Sequence, residues 1–201
     1  MRGDADSGTP VSIPARLSCS ATYALEGTAM LDSSSYNPRF RVLTPMMLLH
    51  LPDSQLLDAI YDHAVLTMEE DTYLDPELVA SLPEGVRAVW AVILFEVLMG
   101  CGGLNLLFWT EGEPGAETIL AGLRYLGAKE HAALVCEAVE TAVRTQSRMT
   151  PYRLEGSQAA YRASLGERLF CSLEARYWGL PELKRILVQA VRDNPKRFCF
   201  P

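Results

Sequence analysis

Between Val86 and Trp109 the chain reads VRAVWAVILFEVLMGCGGLNLLFW, and from Ala88 to Met99 eleven of twelve positions are apolar, with Glu96 the one charge. On a helical wheel Val86, Val89, Trp90, Ile93, Val97 and Met99 cover most of the circumference, so this helix is expected to be enclosed by protein on nearly all sides. A membrane span needs about 20 apolar residues. This run is broken by Glu96 and ends at Gly100, so it reads as the buried helix at the centre of an all-α domain. Gly100, Gly102 and Gly103 have no Lys-Ser/Thr after them and no G-x-G-x-x-G spacing, and they follow a helix where a dinucleotide site needs a strand. They are expected to end one helix and let a second, Leu104 to Trp109, pack close against it. A carboxylate on so apolar a helix must find a hydrogen-bond partner or a helix N-terminus, or take up a proton. For Glu96 a structural hydrogen bond is the expectation and a catalytic role the alternative.

The same reading extends along the chain. Residues 1–39 are rich in Ser, Gly, Pro and Thr without a sustained period, which suggests an irregular N-terminal arm ahead of a helical domain over 40–201. Thr44 and Pro45 suit the cap and first residue of a short helix over 45–50. After Asp53 or Ser54 as cap, Leu57, Ile60, Tyr61, Ala64 and Met68 recur at three and four and define a core face. On that wheel Asp58, Asp62 and Glu69 fall together on an opposite, exposed stripe. Helices are further expected over Glu113–Leu126, with Gly127 as C-terminal cap, and over Ala128–Gln146, with Ala132, Val135, Val139 and Val143 inward. A loop is expected over 149–157, around Pro151 and Gly156. A mostly helical stretch over Ala159–Trp178 carries the stripe Leu165, Leu169, Leu173 and Tyr177. A last helix opens at Pro181, docks through Ile186, Leu187, Ala190 and Val191, and stops at Asn194-Pro195. The whole amounts to about seven or eight helices in one domain.

Composition, at 49% hydrophobic and 21% charged residues, excludes a wholly disordered chain. Charge adds more. Residues 51–80 hold eight acids and no Lys or Arg, whereas residues 151–201 hold five acids and nine bases. A segment of one sign attracts partners of the other within about a Debye length. Asp58, Asp62, Glu69, Glu70, Asp71, Asp75 and Glu77 are therefore candidates for contact with a basic partner, with a solvated face as the alternative. The C-terminal bases are interspersed with acids and lack an aromatic stacking pattern, so they do not read as a nucleic-acid surface. They could pair with the acidic segment, within the molecule or between two copies, so a homodimer is open.

Three histidines, at 50, 63 and 131, form no H-x-x-x-H or H-E-x-x-H pair, and no G-x-S-x-G elbow occurs. Glu69-Glu70-Asp71 lacks the alternation and Gly of a calcium loop. No metal or other cofactor is called for. Five scattered cysteines without a C-x-x-C pair read as reduced thiols, and the early aspartates oppose a secretory signal. A cytoplasmic protein is the expectation.

The order of hydrophobic helix, Gly-Gly turn, aromatic segment and a helix ending in Leu-Gly-Ala resembles the all-helical DNA-mimic-protein-like family of bacteria, over about residues 80–198. The chain keeps Glu96, Gly102, Gly103, Phe108 and Trp109, then Leu126, Gly127 and Ala128. In its closing stretch it keeps Leu173, Arg176, Tyr177, Asn194, Pro195 and Phe198. The family's turn usually reads Asn-Asn-Gly-Gly-Phe, followed by Gln, aromatics and a further Asn. Here Gly100 and Cys101 stand for the paired Asn, Leu104 for Phe, Leu106 for Gln and Thr110 for the last Asn. The resemblance implies an acidic, non-enzymatic protein that occupies the basic surface of a nucleic-acid-binding protein as a DNA mimic. An immunity-type inhibitor of a toxin is the alternative, and a small hydrolase built on Glu96 a second.

Overall fold

The computed structural model describes residues 40, 42–67 and 80–199. Among these it is all-helical, with nine helices whose bounds fall inside the described stretches: α1 (Pro45–His50), α2 (Asp53–Thr67), α3 (Glu84–Thr110), α4 (Gly112–Tyr125), α5 (Lys129–Arg144), α6 (Gln146–Glu155), α7 (Gln158–Ser164), α8 (Cys171–Tyr177) and α9 (Leu183–Asp193). Single 3-10 turns follow α7 (Leu165–Glu167) and α9 (Pro195–Phe198).

One apolar core runs through the assembly, and α3 is its axis. Val86, Val89, Val92 and Phe95 are fully buried, as are Leu104 and Leu107 beyond the glycines. Helices α2 and α4 pack on α3, α5 packs on α4, and the turn Pro195–Phe198 closes against α3. By length and hydropathy α3 could cross a membrane. Its burial among neighbouring helices agrees with the expected core helix.

Local signals set several boundaries. The Thr44 hydroxyl accepts the Met47 N–H at 3.2 Å, so α1 begins at the expected cap. On α2, Leu57, Ile60 and Ala64 are buried and Tyr61 stacks on Trp90 at 5.1 Å between centroids. Gly127 at φ 77° ends the α4 region as anticipated.

The glycines separate two helical segments, as expected: the first runs on through Gly102, the break falls at Gly103, where φ is 68° and ψ −161°, and Leu104 opens the second. Four other expectations are corrected. Residues 146–155 form α6 with Pro151 inside it, where a loop was expected. Pro151 has no N–H to give the Ser147 carbonyl one turn back, and α6 carries it inside nevertheless. The stretch from Ala159 to Trp178 is broken at Arg168, which takes a left-handed φ of 51°, and the break leaves Leu165 exposed. Val143, in the last turn of α5, is also exposed. The thiol expectation changes too: Cys136, Cys171 and Cys199 are free, whereas Cys101 is disulfide-bonded.

Candidate functional site

The kink in α3 is the best-built feature of the region that the sequence singled out. A break in a helix frees backbone N–H groups at the start of the second half, and burial makes each unpaired donor costly. Glu174 of α8 answers this: its Oε1 accepts the Leu104 N–H at 2.8 Å. A carboxylate also suits the positive end of the helix dipole. Gly103 is required twice, by its positive φ and because a Cβ there would collide with the Glu174 carboxylate. At Gly102 a Cβ would lie 2.6 Å from the Tyr161 hydroxyl. Gly102 and Gly103 thus each stand where a side chain would collide with a neighbour.

Beyond the kink, α7 and α8 are fastened to the second half of α3. Asn105 donates to the Ser164 hydroxyl at 3.1 Å within the core. Phe108 is buried and stacks on Phe170 at 5.1 Å, while Trp109 is half-buried against Tyr161 at 5.3 Å. Arg153 donates to the Phe108 carbonyl at 2.6 Å, near the C-terminal end of α3. Burial and the nearby Glu174 carboxylate push the Tyr161 hydroxyl above its ordinary range.

Glu96 sits half-buried one helical stretch before the kink and makes no hydrogen bond within the described residues, which corrects the expected structural bond. Burial pushes its carboxyl up to about 7, against the attraction of Lys184 and with help from Glu182. Of the outcomes open to a carboxylate on this helix, burial favours uptake of a proton. On α5, His131 is buried with its Nδ1 unpartnered, and its ring meets Tyr177 edge-on at 5.9 Å. Burial holds His131 below its ordinary value, with Glu130 and the Pro181 backbone opposing. Among the described residues, no group of three His, Cys, Asp or Glu could hold a metal ion.

The acidic stripe fares differently. Asp62 is 5% exposed, and its Oδ2 accepts the Phe40 N–H at 3.2 Å, so it faces the interior. The wheel placed it outside because it could not show the chain before α1 returning over α2. Asp58 is half-buried on the same helix. Asp53 pairs with Arg192 of α9 at 2.5 Å. Glu69, Glu70, Asp71, Asp75 and Glu77 lie outside the described residues.

The family model described as DMP19-like protein matches residues 80–194, more than half of the chain. The chain belongs to the DMP19-like family. The matched DMP19-like region starts after the acidic segment and spans α3 to α9, so the kink, Glu96, Glu174 and His131 all lie inside it. No curated protein and no solved structure is significantly similar to the chain. Sequence reasoning missed Glu174, Asn105 and His131 as parts of this region. Glu174 and its partner are 70 positions apart, and no local pattern links them.

Proposed function

We propose that this DMP19-like protein acts by binding rather than by catalysis, and that it occupies a basic surface on a partner protein as a DNA mimic. One observation carries the reading: eight acids without a Lys or Arg over residues 51–80. Membership of the family supports it. Asp53 and Asp62 are engaged inside the molecule, which concentrates the proposal on the run Glu69, Glu70, Asp71, Asp75 and Glu77. Uncompensated carboxylates steer a basic partner over distance and accelerate its docking.

The test is capture of a partner from the cytoplasm of the source cell, followed by association kinetics with the parent and with the variant Glu69→Lys/Glu70→Lys/Asp71→Lys. The expected result is association slowed by about tenfold or more at low salt, with the difference shrinking as ionic strength rises. A DNA mimic further requires that the partner bind nucleic acid and that added duplex compete with this chain. A basic toxin without nucleic-acid competition would instead make it an immunity-type inhibitor. A partner with no basic surface, or equal rates for parent and variant, reduces the segment to a solvated face.

A hydrolase built on Glu96 has one observation in its favour, a carboxyl poised near neutral pH. Against it, Glu96 does not line the groove between Tyr125 and Phe198. Turnover that disappears in Glu96→Gln with folding preserved would establish it.

A further inference from the structure

The outer face of α9 leads to a second binding surface. Arg185, Ile186, Gln189, Ala190 and Asn194 recur there at helical spacing and form one wall of an open groove of about 510 Å³. The corner between α4 and α5, Tyr125 to Gly127, forms the facing wall. Leu183, Leu187 and Val191 dock α9 on the core, so Ile186 and Ala190 are left half-covered and line the groove. This is a division of α9 that its sequence pattern alone did not show.

We propose that this groove receives an amphipathic acidic helix of a partner protein. The walls are mostly apolar, and of the three charged side chains that line the groove two are arginines. Asp193, the third, accepts from Gln189 at 2.7 Å. Arg185, with its side chain 85% exposed, has one exposed neighbour, Glu182, at 3.3 Å. Arg197 lies over the Tyr125 ring at 4.3 Å and 4.0 Å from Glu84, with half its side chain still open. Both guanidinium groups can therefore accept a further carboxylate without leaving their positions. At about 1.5 Å rise per residue, Arg185 and Asn194 stand about 13 Å apart along α9, and Arg197 lies just beyond. A helix laid along the groove would meet cations near both ends and apolar surface between them. Ala190, small and midway, allows the close approach that packed helices need.

None of the described residues that line this groove comes from the segment 51–80, and the two proposals are tested independently. The probe is a fluorescein-labelled 15-residue helical peptide with leucines at three- and four-residue spacing and glutamates in its first and last turns, titrated with the full chain. Saturable binding is expected, weakened about tenfold or more by Ala190→Phe, which fills the groove. Arg185→Glu should weaken it at low salt and flatten its salt dependence. A peptide with lysines in place of the glutamates should bind at least about tenfold more weakly. Circular dichroism of each variant checks the fold. The proposal is overturned by an absence of saturable binding up to about 1 mM peptide, by equal binding of the lysine peptide, or by Ala190→Phe binding within about twofold of the parent. It is also overturned if sedimentation finds a dimer that Ala190→Phe dissociates, since a second copy would then be the occupant.

Discussion

The carboxylate of Glu174 accepts the backbone N–H of Leu104 at 2.8 Å, across 70 positions of sequence. The bond closes a helix start in the middle of α3 that the chain's own neighbours cannot cap, and it ties α8 to the axis of the core. Glu174→Ala should cost about 1 to 3 kcal/mol, the range for leaving a buried donor unpaired. Gly103→Val should cost more, because it adds about 1 to 3 kcal/mol of backbone strain and evicts the same carboxylate. The two costs together come to about 2 to 6 kcal/mol out of a total stability of about 5 to 15 kcal/mol, so Gly103→Val should lower the urea midpoint much further than Glu174→Ala does. Urea denaturation measures both. A Gly103→Val protein with the parent's midpoint and lost partner binding would make the kink a recognition element instead.

Two buried titrating groups give the stability opposite dependences on pH. Glu96 has its folded pKa raised from 4.5 to about 7, so the native state holds a proton that the unfolded chain releases. Its contribution is full below about pH 4.5 and is lost as pH rises through about 7, a loss of at most ~3 kcal/mol. His131 is held below its ordinary 6.5, so the unfolded chain takes a proton that the native state refuses. Stability from His131 therefore falls as pH drops below about 6.5. Glu96→Gln should match the parent near pH 5 and exceed it near pH 8, while leaving partner binding intact. If chemical denaturation at both pH values gives the same difference between Glu96→Gln and the parent, Glu96 is not the group that titrates.

How far the sequence reached can be judged residue by residue. Thr44, Gly127 and the apolar run of α3 act through neighbours within a few positions, and each was legible because a cap, a positive φ or a helical period is a local property. Glu174 and Asp62 were not legible, since each is positioned by a segment far away in sequence: α8 packed on the kink, and Phe40 folded over α2. Pro151 misled because the rule against a proline in a helix interior is a preference, and α6 forms around it. The glycine motif was legible, while Glu174, which caps it, and the Phe40 N–H, which engages Asp62, come from tertiary packing that periodicity does not encode.

Arg192 joins three helices. Its guanidinium donates to the Leu48 and Leu51 carbonyls, each at 2.5 Å, and to Asp53 of α2. The Leu48 and Leu51 carbonyls sit at the C-terminal end of α1, where unsatisfied acceptors collect. Arg192→Lys keeps the charge but cannot reproduce a fork that reaches three acceptors, so it should lose about 1 to 2 kcal/mol. Hydrogen exchange should show the loss as faster exchange in α1 ahead of α3. Uniform destabilisation without a local change at α1 would mean that Arg192 serves α9 packing alone.

The acidic segment yields the prediction that separates charge from structure. Asp62 is buried and bonded to the Phe40 N–H, so Asp62→Lys should destabilise by about 3 kcal/mol or more, the cost of an uncompensated buried charge. Asp62→Asn keeps an acceptor for the same N–H and should cost about 1 kcal/mol. Neither effect should depend strongly on salt, because the group is shielded from solvent. The reversal of Glu69, Glu70 and Asp71 should behave in the opposite manner. Its effect on partner association should be large at low salt and small at high salt, with the parent's circular dichroism retained as the control. Measuring melting temperature and association rate together for Asp62→Asn and for the triple reversal assigns each acid to the fold or to the partner. If Asp62→Asn slowed association as much as the triple reversal does, with its melting temperature unchanged, Asp62 would belong to the binding surface, and its burial would be a property of the unbound protein.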